Sequence, residues 1–119
     1  MANSVNLDTS RRLDITCRKG DDFVLNLSVN DATGSPLAMS TYMFKMEVRD
    51  SDTDADTVVA ATDVTYDKDT NGTLVVKIAD TDMTMDGGLY VYDLQATDNN
   101  SIVSTWLHGL FKVNEDVTV

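Results

Sequence analysis

Short segments of the chain alternate apolar with polar side chains, which is the pattern of β-strands with one buried and one solvated face. Residues 23–29 and 42–48 alternate most regularly, and residues 73–78 place Leu74, Val76 and Ile78 on one side. Thr and Val, which favour strands, are frequent, and so is Asp, which favours turns. The other predicted strands are 13–18, one or two within 58–66, 89–97 and 102–113.

Turn signals separate these segments. Asn71-Gly72 is the strongest, because both residues tolerate the positive φ angles of tight hairpin turns. Residues 98–101 are expected to join the last two strands into a second hairpin. Residues 31–40 are typical of a loop, and residues 80–88 of a connector with one helical turn. Six to eight short strands joined in this way predict an all-β, antiparallel β-sandwich.

A chain of 119 residues is long enough for one hydrophobic core. Residues 1–12 are predicted to form an extended N-terminal arm, and residues 13–119 a single β-sandwich domain. The predicted core consists of the inward apolar residues of the strands: Phe23, Leu25, Leu27, Phe44, Met46, Val48, Leu74, Val76, Ile78, Tyr90, Tyr92, Leu94, Leu107, Phe111 and Val113.

The last strand carries the candidate interface. If Phe111 and Val113 face the core, alternation places Trp106, His108 and Leu110 on the outside. An outward Trp and Leu on one strand indicate a contact surface, because exposed apolar patches are typical of interfaces. The alternative is that strand twist or the second sheet covers them.

Charge narrows the choice of partners. The chain has 9 basic and 20 acidic side chains and a formal net charge of −11, which argues against nucleic acid or an anionic membrane as a partner. A basic start on an acidic body predicts docking on acidic neighbours or on copies of the same chain, and the alternative is that these residues only flank a strand. The basic residues near the start are Arg11, Arg12, Arg18 and Lys19.

The absence of targeting signals and the cysteine count argue against a membrane-spanning, secreted or disulfide-bonded protein. No apolar run approaches the roughly 20 residues that cross a bilayer. Residues 1–8 lack the basic and apolar regions of a secretory signal. The single cysteine, Cys17, excludes an internal disulfide framework, so synthesis in a reducing cytosol is expected.

No enzymatic activity, catalytic residue or cofactor is predicted. His108 is the single histidine and Cys17 the single cysteine, and the chain has neither a nucleophile elbow nor a glycine-rich phosphate loop. A histidine alone on a strand is most often a surface or packing residue, and a single cysteine most often a small buried one.

Two acidic segments are weak metal candidates. Asp67, Asp69 and Asn71 match the first positions of a calcium loop, but Ile78 stands where the twelfth-position ligand is expected. The Asn-Gly turn explains the same residues without a metal ion. The aspartates at positions 50, 52, 54 and 56 are the second candidate, and a solvated loop is the alternative for them.

Four motifs in order resemble a known family. They are Asp-Ile-Thr-Cys-Arg-Lys-Gly-Asp-Asp-Phe at 14–23, Asp-x-x-Gly-x-Pro at 31–36, Gly-Leu-Tyr-Val-Tyr-Asp-Leu-Gln at 88–95 and Trp-Leu-His-Gly-Leu-Phe-Lys-Val at 106–113. With an alternating strand after the second motif, and Asp-Val-Thr at 116–118, this order resembles small tailed-bacteriophage virion proteins and the N-terminal domain of phage baseplate upper proteins. The resemblance spans residues 13–118.

The resemblance implies an immunoglobulin-like β-sandwich without enzymatic activity. It implies a virion location after synthesis in the host bacterial cytoplasm, with tail, fibre-base or capsid proteins as partners and with self-association as a further option. Baseplate upper proteins continue into further domains, whereas this sequence stops at residue 119, which leaves room for capsid decoration beside an adaptor role. The alternative function is a calcium- or carbohydrate-binding module of the same sandwich class.

Overall fold

The alternating segments form strands that pair into two sheets. The computed structural model describes residues 11–31, 33–50 and 57–115. Two short 3₁₀ turns, Ala61–Asp63 and Asp80–Asp82, lie between strands. The strands in the described ranges are β1 (Arg11–Arg12), β2 (Ile15–Arg18), β3 (Phe23–Ser28), β4 (Met43–Arg49), β5 (Thr57–Val59), β6 (Val64–Lys68), β7 (Thr73–Ile78), β8 (Gly88–Thr97) and β9 (Val103–Asn114).

The large sheet is built around the β8–β9 hairpin. Strand β8 pairs antiparallel with β9 on one side and with β4 on the other, and the short strand β5 adds to the far side of β4. Strands β1 and β2 both pair in parallel with the remaining edge of β9. The hairpin therefore occupies the middle of the sheet, and the first and last described strands lie side by side.

The small sheet contains β3, β7 and β6, in that order, with antiparallel pairing throughout. Strands β4, β8 and β9 lie in the other sheet, so the chain crosses between sheets three times after β3. This division is that of the immunoglobulin sandwich, in which strands B, E and D face strands C, F and G. The all-β sandwich predicted from the alternation is confirmed.

The core lies between the inner faces of the two sheets. The ring of Phe111 in β9 lies 5.4 Å from that of Phe23 in β3 and 6.2 Å from that of Tyr92 in β8, measured between centroids. The contact with Phe23 joins the small sheet to the large one, and the contact with Tyr92 lies within the large sheet. Burial of apolar side chains of this kind contributes roughly 1.5–3 kcal/mol each before conformational entropy is subtracted.

The predicted core is mostly buried, but it is incomplete. Leu25, Leu27, Tyr90 and Leu107 pack against the core and are only half-buried. Three of the missed residues are methionines in connections, which fill the open ends of the sandwich where strand alternation gives no signal. The missed buried residues are Ile15, Met39, Val59, Met83, Met85 and Ala96.

The expectation of purely antiparallel pairing is wrong for β1 and β2. The prediction came from hairpins, and hairpins join only strands that are neighbours in sequence. Here the register joins Ile15 to Phe111, at opposite ends of the described chain, so no turn dictates the direction. The last two residues of the predicted arm, Arg11 and Arg12, are part of this sheet, and residues 1–10 lie outside the described residues.

Candidate interaction surface

The outward side of the large sheet is the candidate interaction surface. Strand register places Glu47 on β4, Asp93 on β8, His108 on β9 and Arg12 on β1 in one row across the sheet. Directly opposed residues have Cβ atoms about 5 Å apart, so the four side chains are neighbours. We call the side of β1, β2, β4, β8 and β9 that carries this row the large-sheet face.

A shallow depression of about 330 Å³ lies in the middle of the large-sheet face. Beside the charged row, Arg49, Val91 and Leu110 form a second row and supply its apolar part. The depression thus combines two aliphatic side chains with charges of both signs. Its lining residues are Arg12, Glu47, Arg49, Val91, Tyr92, Asp93, His108, Gly109 and Leu110.

The carboxyl of Asp93 is half-buried near the centre of the depression. Burial raises its pKa above the ordinary value, and the positive charge of Arg49 only partly opposes this rise. The Glu47 carboxylate raises the pKa further, although Glu47 is itself held by Arg49 at 2.9 Å. The folded protein therefore disfavours the charged form of Asp93 relative to the unfolded chain.

A close backbone crossing positions Arg12 at the rim of the depression. The Oδ1 atom of Asp14 accepts a hydrogen bond from Arg12 Nε at 3.1 Å and another from the Leu110 N–H at 3.0 Å. The Leu110 N–H and the Arg12 charge hold the pKa of Asp14 below its usual range. A Cβ atom at Gly109 would lie 2.4 Å from the carbonyl oxygen of Leu13, so glycine allows the crossing.

Positive charge concentrates on the large-sheet face of this acidic chain. Lys45 lies between the buried Phe44 and Met46, and Lys112 between the buried Phe111 and Val113, so both lysines face outward. Three acids accompany the basic residues of this face: Asp14, Glu47 and Asp93. The basic residues on the face are Arg12, Arg18, Lys45, Arg49 and Lys112, which are five of the nine in the chain.

Exposed apolar side chains concentrate there too. Met43, Leu89 and Val103 occupy outward positions on the large-sheet face and are 64%, 60% and 57% exposed. Ile102, which is also exposed, precedes β9 in the adjoining turn. On the outer side of the small sheet, the one large hydrophobic residue among those described that is exposed in this way is Val24. The two outer faces therefore differ in both charge and apolar content.

The outward placement predicted for Trp106 is wrong. A β-bulge shifts the register so that Leu94 opposes Leu107 and Gln95 opposes Thr105, which leaves Trp106 as the extra residue. Its ring packs on the core side, 5.3 Å from Phe44 and 5.7 Å from Tyr42 between centroids. Alternation fails there because a bulge places two consecutive residues against one partner.

The remaining predicted interface residues are divided. Leu110 and His108 lie on the large-sheet face with Arg12, whereas the Arg11 side chain is exposed at the sheet edge, opposite Leu107. The second basic pair lies at the end of β2. Arg18 Nη1 donates to the Glu115 carbonyl at 2.8 Å, and Lys19 Nζ lies 3.7 Å from Asp86 Oδ1.

Three basic residues of the large-sheet face were not predicted from the sequence as interface residues. They are Lys45, Arg49 and Lys112, which occupy polar positions within alternating strands. Alternation alone assigns them to the outside. Alternation does not show that β4, β8 and β9 are adjacent in the sheet. The three residues form one surface only because these strands are adjacent.

The structure does not bring Cys17 and His108 together. Cys17 opposes Val113 on β9, five residues from His108, which corresponds to about 17 Å along a strand. Burial raises the pKa of the Cys17 thiol to about 11, with a further contribution from Asp21. A thiol with this pKa is protonated at neutral pH, so it lacks the reactive thiolate form.

The weak metal candidates Asp67, Asp69 and Asn71 lie in the β6–β7 hairpin. Oδ1 of Asp69 accepts hydrogen bonds from the N–H groups of Asn71 at 2.8 Å and Thr73 at 2.9 Å. The Asp67 carboxylate lies 3.7 Å from Lys77 Nζ. Within the described ranges no group of three or more His, Cys, Asp and Glu residues is placed to hold a metal ion. Of the second candidate, positions 52, 54 and 56 lie outside the described residues.

The Asp69 turn is one of three turns with the same hydrogen bonds. In each, an aspartate accepts from the N–H groups two and four residues later, and the residue three positions later has positive φ. That residue is Gly34, Gly72 or Ser101, with φ of 87°, 80° and 64°. The other two turns are formed by Asp31 with Thr33 and Ser35, and by Asp98 with Asn100 and Ile102.

A scan against protein-family models finds no match, and a search of curated proteins finds no significant match. The resemblance to phage virion proteins therefore stays a prediction. No helix in the described part of the chain is long and apolar enough to cross a membrane.

Proposed function

We propose that this chain is a structural protein of a tailed-bacteriophage virion. It docks non-covalently, through the large-sheet face, on tail, fibre-base or capsid proteins, and it contributes contacts rather than chemistry. The immunoglobulin-type sandwich is the fold that the ordered motifs at 14–23, 31–36, 88–95 and 106–113 imply. Nucleic acid and membranes are not among the proposed partners.

The difference in charge and apolar content between the two outer faces of the sandwich supports the docking role. Apolar side chains that remain exposed in a contiguous region are typical of protein–protein contacts, and basic side chains around them select an acidic partner. Met43 and Val103 supply the apolar part at one end of the face, beside Lys45, and Leu89 lies beside Lys112 at the other end. The outer face of the small sheet offers no comparable combination.

Quantitative mass spectrometry of purified particles tests the virion role. The expected result is a defined copy number relative to the major capsid protein. A ratio near one, or a simple fraction set by capsid symmetry, indicates decoration of the head, and a few to a few dozen copies indicate the tail or a fibre base. Absence from purified particles contradicts the proposal.

A pair of variants tests the docking face. Leu89→Glu introduces a charge at an exposed position of the large-sheet face, opposite Lys112, which compensates it in the folded chain. We expect incorporation into particles to fall by at least about tenfold, since an apolar contact becomes a desolvated charge. Ser28→Glu is the control, because Ser28 is exposed on the outer side of the small sheet. Equal incorporation of both variants would contradict docking through this face.

A further inference from the structure

We infer that the occupant of the large-sheet face is a second copy of this chain, which presents its acidic loop end. This inference rests on the proposed function and names the partner. The acidic loop end is formed by Asp21, Asp22, Asp63, Asp80 and Asp82, which flank the ends of β3, β6 and β7. Successive copies are thereby joined head to tail.

Strand register gathers these acids at one end of the small sheet. Phe23 and Val64, the first residues of β3 and β6, both oppose Ile78, the last residue of β7. The loops that precede β3 and β6 and follow β7 are therefore adjacent. Asp22 and Asp80 are in direct contact, since Asp22 Oδ1 accepts the Asp80 N–H at 2.8 Å.

The two surfaces are complementary in charge. Basic side chains outnumber acidic ones on the large-sheet face, although the whole chain has a net charge of −11. The remainder of the molecule is therefore more acidic than the chain average. At physiological ionic strength, charges beyond about 8 Å are screened, so contacts between the two surfaces outweigh the repulsion between whole molecules.

Charge also disfavours the simplest symmetric alternative. In an isologous dimer the same surface meets itself. Two large-sheet faces brought together would oppose five basic side chains to five others, with only Asp14, Glu47 and Asp93 on each side to offset them. The acidic loop end avoids this repulsion, and it is carried by every copy.

Head-to-tail contact has a definite geometric consequence. A heterologous interface leaves one free face and one free end at each step, so association continues until the rotation closes a ring, or else it produces an open stack. Both arrangements are compatible with a subunit that is present in many copies. The depression around Leu110 and Val91 receives the apolar part of the incoming loop end, where Ala79 is exposed next to Asp80.

Two complementary variants test the proposal. The face variant is Lys45→Glu with Lys112→Glu, and the end variant is Asp63→Asn with Asp80→Asn; all four residues are exposed. Sedimentation velocity and native mass spectrometry of the full chain, from micromolar to millimolar, measure association at low and high salt. We expect the unmodified chain to associate beyond the dimer, with at least about tenfold weakening at high salt. Ser28→Glu serves as the control that associates normally.

The mixture of variants gives the decisive result. Each variant alone is expected to stay monomeric, because each lacks one half of the contact. An equimolar mixture is expected to form dimers with one copy of each variant and nothing larger, since a single native face meets a single native end. Failure of the mixture to form such dimers overturns the inference, as does an unmodified chain that stays monomeric throughout.

The outcome for this inference is separable from that for the proposed function. A monomeric chain whose Leu89→Glu variant is still lost from particles means that the large-sheet face binds a different virion protein. The inference then falls and the docking role stands. If the chain is monomeric and its Leu89→Glu variant is incorporated normally, both the inference and the docking role are overturned.

Discussion

Aspartates occupy two opposite environments in this molecule. In the turns, Asp31 accepts the Thr33 hydroxyl at 2.6 Å and N–H groups of Thr33 and Ser35, and these hydrogen bonds lower its pKa. On the large-sheet face, burial raises the pKa of Asp93, and Arg49 does not cancel the rise. One carboxylate is stabilised in its charged form by the fold, and the other is tolerated.

The difference separates residues that hold the fold from residues that the fold only displays. The three turn aspartates accept hydrogen bonds from backbone N–H groups in three reversals of the chain, so these side chains serve stability. Asp93 and its neighbours on the large-sheet face add little to stability, and Asp93 subtracts from it. Groups kept at a cost to folding are typical of surfaces reserved for binding.

The largest expected effect on stability comes from β9, which carries one residue that holds the fold and one that the fold only displays. Trp106→Ala removes a ring packed on Phe44 and Tyr42, so we expect it to lower the free energy of unfolding by about 3 kcal/mol. Leu110→Ala on the large-sheet face should cost less than about 1 kcal/mol. Urea denaturation measures both, and comparable losses would contradict the division between the two classes.

Substitution of a turn aspartate is expected to have the next largest effect on the free energy of unfolding. Asp69→Ala leaves the N–H groups of Asn71 and Thr73 without their acceptor, so the free energy of unfolding should fall by about 1–2 kcal/mol. Asp67→Ala, two residues earlier, removes only a long exposed ion pair with Lys77 and should change it by less than about 0.5 kcal/mol.

The same two variants also address calcium. If the hairpin is a turn and not a metal site, calcium should leave the melting temperature of the unmodified chain unchanged, and titration should release no heat. A calcium-dependent rise that Asp67→Ala abolishes would instead favour the alternative binding module.

Ser101→Gly makes the third turn match the other two. Ser101 has φ of 64°, a left-handed conformation that costs a side-chain-bearing residue free energy and that glycine adopts readily. We expect a gain of about 0.5–1 kcal/mol in the free energy of unfolding. Ser35→Gly, one position after the positive-φ residue in the Asp31 turn, is the control, and it should give no gain.

The smallest effect concerns Asp93. Because its pKa is raised in the folded state, the folded chain binds this proton more tightly than the unfolded chain, and the stability contribution is lost as pH rises through the folded pKa. Asp93→Asn should therefore increase stability at neutral pH and remove part of the decline with rising pH. Denaturation midpoints measured from acidic to neutral pH test this, and an unchanged profile would refute it.

Much of the fold could be predicted because alternation reports which side of a strand is buried. The strands that begin at Phe23, Met43 and Thr73 and both predicted hairpins are present, as is the helical turn predicted within residues 80–88, at Asp80–Asp82. Two features could not be predicted. The bulge at Trp106 depends on the partner strand, and the parallel pairing of β2 depends on an edge of β9 more than ninety residues away.

The candidate surface was only partly predictable for the same reason. Leu110 was named from the alternation of its strand and Arg12 from the basic start of the chain, but Lys45, Arg49 and Lys112 join them through the order of the strands in the sheet. The three turn aspartates share a spacing that can be read in the sequence. Their shared role follows from hydrogen bonds to backbone groups, which composition does not display.

The pairing of β1 and β2 with β9 dictates the order in which the chain can fold as it is synthesised. Strands β3, β6 and β7 form the small sheet without any residue beyond Ile78. Arg11–Arg12 and Ile15–Arg18, although made first, have no partner until Val103–Asn114 leaves the ribosome. The large sheet is therefore completed last, so its outward face is incomplete until β9 has been synthesised, and neighbouring nascent chains cannot join through the complete face before then.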